Sequence, residues 1–281
     1  MAHVDDLGMC HGATVAFEEL SRMSFITSGS VMVPCPWFPE VAALAADRPE
    51  LDVGVHLTLS SEKRFYRWRP ITASSASSGL VDDSGYMWSD LESLRKNVVP
   101  KAAEEELRAQ VDRALATGID VTHLDAHMGA MMLPELVDIY LGLGRAYKLP
   151  VMFPRTIRHY DIKHNLGDMD QAFYESKAAE AAADGHFLFD RVFETPWQAL
   201  GDPMEVYCRL FAAAPMGISF FALHCNAPGA FEAIAPDEAQ VRFNEYRLFR
   251  DRRFIDFVEG LDVEFIGFRA IREMYRSRLA S

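Results

Sequence analysis

The sequence predicts an α/β protein, built as a single distorted (β/α) barrel with mostly parallel strands. Short apolar segments rich in β-branched residues alternate with segments of helical periodicity along the 281 residues, a pattern typical of a parallel sheet with helical crossovers. About seven such units fit a barrel better than two nucleotide-binding halves. The chain has no Gly-x-Gly-x-x-Gly after its first strand and no Walker loop. We therefore expect one domain over residues 1–281.

The first half of the chain predicts strands and helices in turn. Few residues precede Asp5, so we expect a first strand that is very short or trimmed. Apolar residues from Ala13 to Met23 recur at helical spacing and predict the first helix. The further predicted strands are 25–33, 51–59, 121–124 and 151–153, and the further helices are 41–46, 102–117 and 134–147.

The second half continues the alternation and has an irregular start. Residues 60–86 have little periodicity and predict a long loop or lid over a site, and 155–168 are also irregular. The predicted strands are 187–189, 218–223 and 263–266, and the predicted helices are 170–183, 204–214, 238–259 and 268–279. Within them, Arg242 to Arg253 is typical of an amphipathic helix whose arginines are solvated or paired.

Charge and composition exclude several classes of protein. The formal net charge is −13, which disfavours nucleic acid and anionic membranes and favours neutral or cationic substrates. No apolar run is long enough for a membrane span, and the N-terminus lacks a signal-peptide pattern. The four cysteines are widely spaced without a Cys-x-x-Cys pair, which argues against a zinc ribbon or a disulfide framework. We expect a cytoplasmic protein.

Histidines and acids follow the apolar runs that predict strands. His56 lies in Val-Gly-Val-His-Leu-Thr-Leu, His224 directly follows the run 218–223, and Asp5-Asp6 follow the first residues. In parallel α/β folds the carboxyl ends of strands meet at one face, where each contributes a side chain to a common site. The sequence therefore predicts a metal or acid–base site.

Asp5 and Asp6 offer two carboxylates at one strand end. One can bind a cation while the other, kept anionic beside that charge, accepts a proton from water. The alternative is that an Asp caps the following helix, which is common and favourable.

His56 and the His123-x-Asp125-x-His127 motif offer imidazole ligands. A neutral imidazole binds divalent ions but needs partners, and the alternative for His56 is a structural histidine. On an extended segment His123, Asp125 and His127 share one face, and an Asp between two histidines can ligate or orient an imidazole. The alternative for this motif is a polar strand end that meets solvent.

The residues around these motifs allow more than one interpretation. His224 has no carboxylate beside it in sequence, which suits a general acid that protonates a leaving group. Nothing marks the neighbouring Cys225 as an activated thiolate. Met128, Met131 and Met132 favour packing or an apolar wall near the site.

The order of these motifs resembles the YdjC-like carbohydrate deacetylases, the family that includes bacterial chitooligosaccharide deacetylase. His-Val-Asp-Asp-Leu-Gly at 3–8 resembles the family's Asn-Ala-Asp-Asp-Phe-Gly, and residues 54–59 resemble its Gly-x-His-Leu/Phe-x-Leu. Residues 122–127 resemble its Thr-His-x-Asp-Ser-His, and Leu-His-Cys at 223–225 echoes its Cys-His-Pro. The resemblance covers residues 3–150 well and the remainder loosely.

The resemblance implies a distorted barrel that removes acetyl groups from N-acetylated sugars with one divalent ion. It implies that Asp6, His56 and His127 hold the ion, which the family leads us to expect as magnesium. A shell of two histidines and one carboxylate would suit zinc, cobalt or nickel equally well.

The resemblance also implies roles for the other polar residues. Asp5 would be the base that takes a proton from water, and His224 would be the general acid. His123 and Asp125 would support the ligands from behind or contact substrate. The expected partner is a small carbohydrate, and a homodimer is compatible with the sequence.

The chain departs from the family at the edge of the expected site. Gly129 and Met131 stand where family members usually carry two further histidines, Cys225 stands in place of Pro, and His3 in place of Asn. Two alternatives therefore stay open: a metal-dependent hydrolase of a non-sugar amide, and a catalytically inactive sugar-binding protein of the same fold.

Overall fold

A parallel, curled six-stranded sheet forms the centre of the computed structural model, which describes residues 1–72 and 75–279. The sheet order is β4-β3-β2-β1-β8-β7, and a separate parallel pair joins β5 to β6. In chain order the strands are β1 (Ala2–Leu7), β2 (Ile26–Val31), β3 (Val53–Leu57), β4 (Leu124–Ala126), β5 (Phe153–Pro154), β6 (Leu188–Phe189), β7 (Arg191–Glu194) and β8 (Ser219–Leu223).

The β5–β6 pair links the two edges of the curled sheet. The Leu124 N–H donates to the Pro150 carbonyl at 3.0 Å, and the Met152 N–H donates to the Leu124 carbonyl at 2.9 Å. At the other edge, β6 runs into β7 with only Asp190 between them. These contacts continue the half-barrel of the main sheet into a distorted ring, which confirms the predicted (β/α) barrel.

Helices cover the outside of the sheet. They are α1 (His11–Leu20), α2 (Phe38–Asp47), α3 (Leu91–Asn97), α4 (Pro100–Ala116), α5 (Val137–Tyr147), α6 (Gln171–Ala183), α7 (Pro203–Ala212), α8 (Phe231–Ile234), α9 (Pro236–Leu248), α10 (Arg252–Glu259) and α11 (Phe268–Leu279). Short 3-10 segments lie at Ala76–Ser78, His127–Met132, Ile157–His159 and Asp161–Asn165, and the second of them is kinked at Met128 and Gly129, which both have positive φ. Within the described ranges, every helix is too short or too polar to cross a bilayer.

Capping residues explain where several helices begin. The side chains of Asp90, Asp170, Asp202 and Asp251 accept hydrogen bonds from backbone N–H groups of the first turn of α3, α6, α7 and α10. Such bonds satisfy donors that have no partner within the helix. The cap at Asp251 also splits the single helix predicted over 238–259 into α9 and α10, so that prediction is wrong.

Two other predictions differ from the structure. Residues 263–266 form no strand; the segment is irregular, and Phe265 packs against Phe25 with ring centroids 6.1 Å apart. A short apolar run has the same composition whether it pairs or only packs. The first strand is also longer than expected, because β1 has six residues and includes both Asp5 and Asp6.

The segment 60–86 is irregular in its described part, apart from Ala76–Ser78 and isolated bridges; residues 73 and 74 lie outside the described residues. Its Trp68 is buried, and the indole N–H donates to the Ser60 carbonyl at 2.9 Å. This packing places Glu62 and Lys63 at the carboxyl ends of the strands, where the polar residues collect.

Candidate active site

A backbone kink brings Asp5 and Asp6 into one cavity. Asp6 has a φ of 63°, and the register of β1 with β2 shifts between Val4 and Leu7. Neighbours on a regular strand point to opposite faces, whereas here both carboxylates line the same cavity. Asp tolerates the left-handed region better than most residues. The N-cap of α1 is Cys10, so neither acid caps that helix.

Asp6, His56 and His127 converge. Asp6 Oδ1 lies 3.2 Å from Nδ1 of His127 and 3.5 Å from Nε2 of His56. All three side chains are buried, with one donor atom of each within 4.8 Å of the others. Oδ1 of Asp6 is buried and has no hydrogen bond of good geometry among the described residues. One carboxylate oxygen and two imidazole nitrogens at this spacing fit a divalent ion.

Two polar side chains contact the Nδ1 edge of His56 and orient its ring, whose Nε2 edge faces Asp6. Its Nδ1 lies 3.0 Å from Oδ1 of Asp125 and 3.0 Å from Oγ of Ser30. Burial disfavours a charge on Asp125, but His56 and His3 hold the pKa of that carboxyl well below its ordinary value. An ionised Asp125 accepts the Nδ1 proton. Metal-binding histidines are commonly fixed in this way. Burial lowers the pKa of His56, but Asp125 and Asp5 outweigh it and raise the pKa above its ordinary value, so Nε2, which faces Asp6, must give up any proton before it can bind a cation.

His127 has a carboxylate on each side. Its Nε2 lies 2.8 Å from Oε2 of Glu62, and its Nδ1 faces Asp6. Burial lowers the pKa of His127, but Glu62 and the close contact with Asp6 outweigh it and raise the pKa to about 9. The imidazole is therefore a cation at neutral pH, with a carboxylate at each ring nitrogen.

Arg242 of α9 lies inside the cavity and holds the second oxygen of Asp6. Its Nη1 is 2.7 Å from Asp6 Oδ2, and its Nη2 is 3.1 Å from Oε2 of Glu238. The guanidinium is only 3% exposed. Burial alone would raise the pKa of Asp6, but Arg242 and His127 hold it well below its usual range. The sequence predicted arginines that are solvated or paired and gave no sign that Arg242 lies in the site.

Asp5 and His224 face each other across the cavity. Asp5 Oδ1 lies 3.2 Å from Nε2 of His3, and Oδ2 lies 3.7 Å from Nε2 of His224. Burial raises the pKa of Asp5, and the nearby charges of Asp125 and Asp6 add to this. Burial and Arg242 together lower the pKa of His224 well below its ordinary value. The pair therefore combines a neutral, weakly basic imidazole with a carboxyl that holds a proton readily.

His3, His123 and Asp125 form the polar floor of the barrel below the ligands. His3 Nε2 is 3.0 Å from Asp125 Oδ2, and the His123 ring stacks on Phe268 with centroids 3.7 Å apart. His123 and Asp125 are both buried. The alternative interpretation of this motif, a polar strand end that meets solvent, is therefore wrong. Burial lowers the pKa of His123 and keeps it neutral. His123 does not line the cavity.

The cavity measures about 260 Å³, near the lower end for small-molecule sites. Trp197 stands on its wall beside His224, with ring centroids 4.6 Å apart, and its indole N–H donates to Glu194 at 2.8 Å. Met128 lines the cavity, whereas Met131 is buried in the core. The methionines therefore serve in both of the ways that the sequence suggested. Six carboxylates line the cavity: Asp5, Asp6, Glu62, Glu194, Asp237 and Glu238.

Cys225 is buried directly after His224. Burial and the neighbouring Glu245 raise the pKa of its thiol well above the ordinary value, so it is not an activated nucleophile. All four cysteines are free, as expected from their spacing.

The sequence profile of the YdjC-like proteins matches residues 1–260. The chain belongs to the YdjC-like family. This YdjC-like chain is 35% identical over 236 residues to a carbohydrate deacetylase of Thermus thermophilus, which covers 84% of the chain and 80% of the relative. It is 29% identical over 160 residues to a chitooligosaccharide deacetylase of Yersinia enterocolitica, covering 55% and 59% of the two.

A solved structure has the same fold. A candidate cellobiose-phosphate cleavage protein from Enterococcus faecalis superposes with a TM-score of 0.79 and 19% identity, over 96% of the YdjC-like chain and 97% of the other. This likeness supports the barrel and carries no statement about chemistry.

Several residues of the YdjC-like site carried no signal in the sequence. Glu62 lies in a segment without periodicity, and Arg242 and Glu194 occupy ordinary helix and strand positions. Their place in the site depends on the packing of α9 and of the 60–86 segment over the barrel end. Contacts of this kind join residues far apart in the chain, which a local pattern does not reveal.

Proposed function

We propose that this chain is a metal-dependent hydrolase that removes an acetyl group from an N-acetylated sugar or oligosaccharide. One observation carries the proposal: Asp6, His56 and His127 lie close enough together to hold a cation, and two of them, Asp6 and His127, line the same cavity as Asp5 and His224. The names of the relatives, carbohydrate deacetylase and chitooligosaccharide deacetylase, support the class of substrate.

Asp6 Oδ1, His56 Nε2 and His127 Nδ1 would hold the proposed ion. When bound, a divalent ion polarises the acetamide carbonyl and makes water easier to deprotonate. Arg242 keeps Asp6 Oδ2 occupied, and Asp125 and Glu62 hold the far nitrogens of the two histidines. Magnesium is the first ion to test, and zinc, cobalt and nickel suit the same donor set.

Asp5 and His224 divide the proton transfers. Asp5 takes a proton from water as the water oxygen attacks the carbonyl carbon. When the C–N bond breaks, its electron pair stays on nitrogen, and Nε2 of His224 supplies the proton that this nitrogen needs. The resting imidazole is neutral, and Asp5 Oδ2 lies 3.7 Å from Nε2, so the proton taken from water has a short path to His224.

The lining suits a neutral substrate and a cationic product. Six carboxylates face the cavity, against the permanent cations of Lys63 and Arg242. This excess of carboxyl groups stabilises the ammonium group that deacetylation produces. It also disfavours phosphorylated sugars. Trp197 offers an aromatic face for the C–H groups of a sugar ring, on the wall that carries His224.

Acetate release from N-acetylglucosamine oligomers tests the proposal. We expect release by the intact protein, loss of release after chelation, and recovery when a divalent ion is added back. Asp6→Asn keeps the side-chain shape and should lose both bound ion and turnover. Asp120→Asn, at a half-exposed carboxylate that pairs with Arg269 and Arg272, is the matched control.

Two outcomes would contradict the proposal. Acetate release that is unaffected by chelator would reject metal dependence. Metal binding without acetate release from any acetylated sugar would instead favour a non-sugar amide or a sugar-binding protein without turnover.

A further inference from the structure

A buried carboxylate lies behind His224 on the side away from the cavity. Glu245 of α9 is 0% exposed. Its Oε1 accepts hydrogen bonds from Oγ1 of Thr195 at 2.7 Å and from the Tyr207 hydroxyl at 2.6 Å. Its Oε2 accepts the backbone N–H of His224 at 2.7 Å. Glu245 thus fixes both the main chain of His224 and the hydroxyl beside it.

Thr195 connects this carboxylate to the imidazole. Its Oγ1 lies 2.8 Å from Nδ1 of His224. A hydroxyl has one proton. Above its pKa of about 7, Glu245 is ionised and can only accept, so it takes this proton. Thr195 Oγ1 must therefore accept from His224, which requires the proton of the neutral imidazole to be on Nδ1.

We propose that Glu245 and Thr195 are positioning residues that lock His224 in the Nδ1-protonated tautomer and aim its bare Nε2 at Asp5 and the cavity. The inference rests on the proposed function only for the role of His224 as proton donor. The tautomer itself follows from the hydrogen bonds.

The lock makes Nε2 the atom that accepts and releases the proton. Starting from the resting state, Nε2 accepts the proton that Asp5 has taken from water. The imidazolium that forms still donates Nδ1–H to Thr195. Nε2 then gives its proton to the departing nitrogen, and the original tautomer returns without rearrangement of the network. With the proton on Nε2 at rest, the imidazole would present no acceptor to Asp5, and this route would be closed.

The burial of Glu245 supports a functional role for the hydrogen bonds that join Glu245, Thr195 and His224. A carboxylate buried without an ion pair costs free energy unless several donors satisfy it. Burial raises the pKa of Glu245 to about 7, although three hydrogen bonds oppose the shift. The helix α9 also supplies Arg242 to Asp6, so one helix supports both the proposed ion site and the proposed acid.

Glu245→Gln tests the lock with almost no change in volume. The glutamine oxygen must remain where Oε2 accepts the His224 N–H, so its NH₂ group replaces Oε1 and donates to Thr195. The hydroxyl proton then has two acceptors left, Nδ1 of His224 at 2.8 Å and the Ala222 carbonyl at 3.4 Å. We expect the nearer one to take it, which inverts the tautomer. We expect ¹⁵N NMR of the histidine rings at pH 8 to show Nδ1–H in the wild type and Nε2–H in E245Q, with the His224 signals identified by their loss in H224N.

Kinetics give the second readout. We expect kcat for acetate release to fall by roughly 10²–10⁴-fold in E245Q, the range for lost acid–base catalysis, with metal content unchanged. Thr195→Ser keeps the hydroxyl and should keep the tautomer, whereas Thr195→Val should lose it. Tyr207→Phe removes a different hydrogen bond to the same oxygen and should retain Nδ1–H.

The outcomes separate the two claims. An unchanged His224 tautomer in E245Q would overturn the lock, whatever the enzyme's activity. An Nε2–H tautomer in the wild type would do the same. If the wild type releases no acetate but the tautomer inverts in E245Q, the lock stands and the proposed function fails.

Discussion

His56 and Asp125 face each other across neighbouring strands in register, with Nδ1 and Oδ1 3.0 Å apart. The contact fixes which nitrogen of His56 carries the proton, and it leaves Nε2 for the proposed ion. Since β3 and β4 hold both residues on rigid backbone, the orientation of the ligand is set before any ion binds.

We predict that Asp125→Asn weakens divalent-ion binding by about 10–100-fold, the usual effect of removing a carboxylate behind a histidine ligand. Asparagine can present its NH₂ group to Nδ1, which then favours the wrong tautomer of His56. Isothermal titration with the metal alone measures the change. Equal affinity in D125N and the control Asp120→Asn would contradict it.

Arg242→Met should lower the free energy of unfolding of the metal-free protein by about 3–5 kcal/mol, because it leaves the charge of Asp6 buried without its partner. A saturating divalent ion should restore part of this loss, since it supplies positive charge at the same carboxylate. Chemical denaturation with and without ion tests this. Arg250→Met, at the half-exposed pair with Glu19, should cost no more than about 1 kcal/mol.

Ion binding should release a proton from His127. With a pKa of about 9 in place of 6.5, the protonated imidazole stabilises the metal-free fold below pH 6.5, and this contribution is lost as the pH rises through 9. At pH 7 we expect close to one proton released per ion, and an affinity that rises about tenfold per pH unit up to 9. Calorimetry in buffers of different ionisation enthalpy counts the protons.

Glu62→Gln should reduce that release at pH 7, because it removes the neighbour that contributes most to holding the proton on His127. Glu135→Gln, at an exposed pair with Arg95, is the control. A release near zero in the wild type would show that His127 is neutral before the ion arrives.

Glu245 should make stability depend on pH. Its pKa is raised from 4.5 to about 7, so the folded protein holds this proton more tightly than the unfolded chain does. The contribution is therefore favourable at low pH and declines as the pH rises from 4.5 through 7, by about 3 kcal/mol. The ionisable groups around it are Tyr207, His224, Cys225 and Arg242.

The difference in unfolding free energy between the wild type and E245Q isolates this contribution. Between pH 4.5 and pH 8, we expect the unfolding free energy of E245Q to rise relative to that of the wild type, as measured by urea denaturation. A difference that is constant over this range would mean that Glu245 titrates at its ordinary pKa.

Periodicity predicted most of the barrel because each helix and strand buries one face against its neighbour. The strand-end positions of His56 and His224 were visible for the same reason: an apolar run that stops at a polar residue marks the edge of a sheet. The wrong strand at 263–266 shows the limit, since an apolar segment that packs without pairing has the same sequence. The break at Asp251 had a visible signal, because Asp before Arg-Arg-Phe is a good cap.

The residues that hold the site side chains in place could not be predicted from periodicity. Arg242 and Glu245 sit on one helix whose charges suggested a solvated face, and only the packing of α9 over the barrel end turns them inward. Thr195 follows β7, a strand that the sequence did not predict. Their partners Asp6 and His224 are distant in the chain, and local pattern carries no information on such pairs.

The left-handed backbone of Asp6 limits which amino acids can occupy the position. Most side chains would cost about 1–2 kcal/mol in that conformation, whereas Gly, Asn, Asp and His adopt it more readily. Glutamate offers the same carboxylate as aspartate, yet this φ disfavours it. If the proposed ion site holds, substitutions meant to change its preference would therefore do better at His56, whose strand backbone accepts any L-residue, than at Asp6, where the main chain itself restricts the choice.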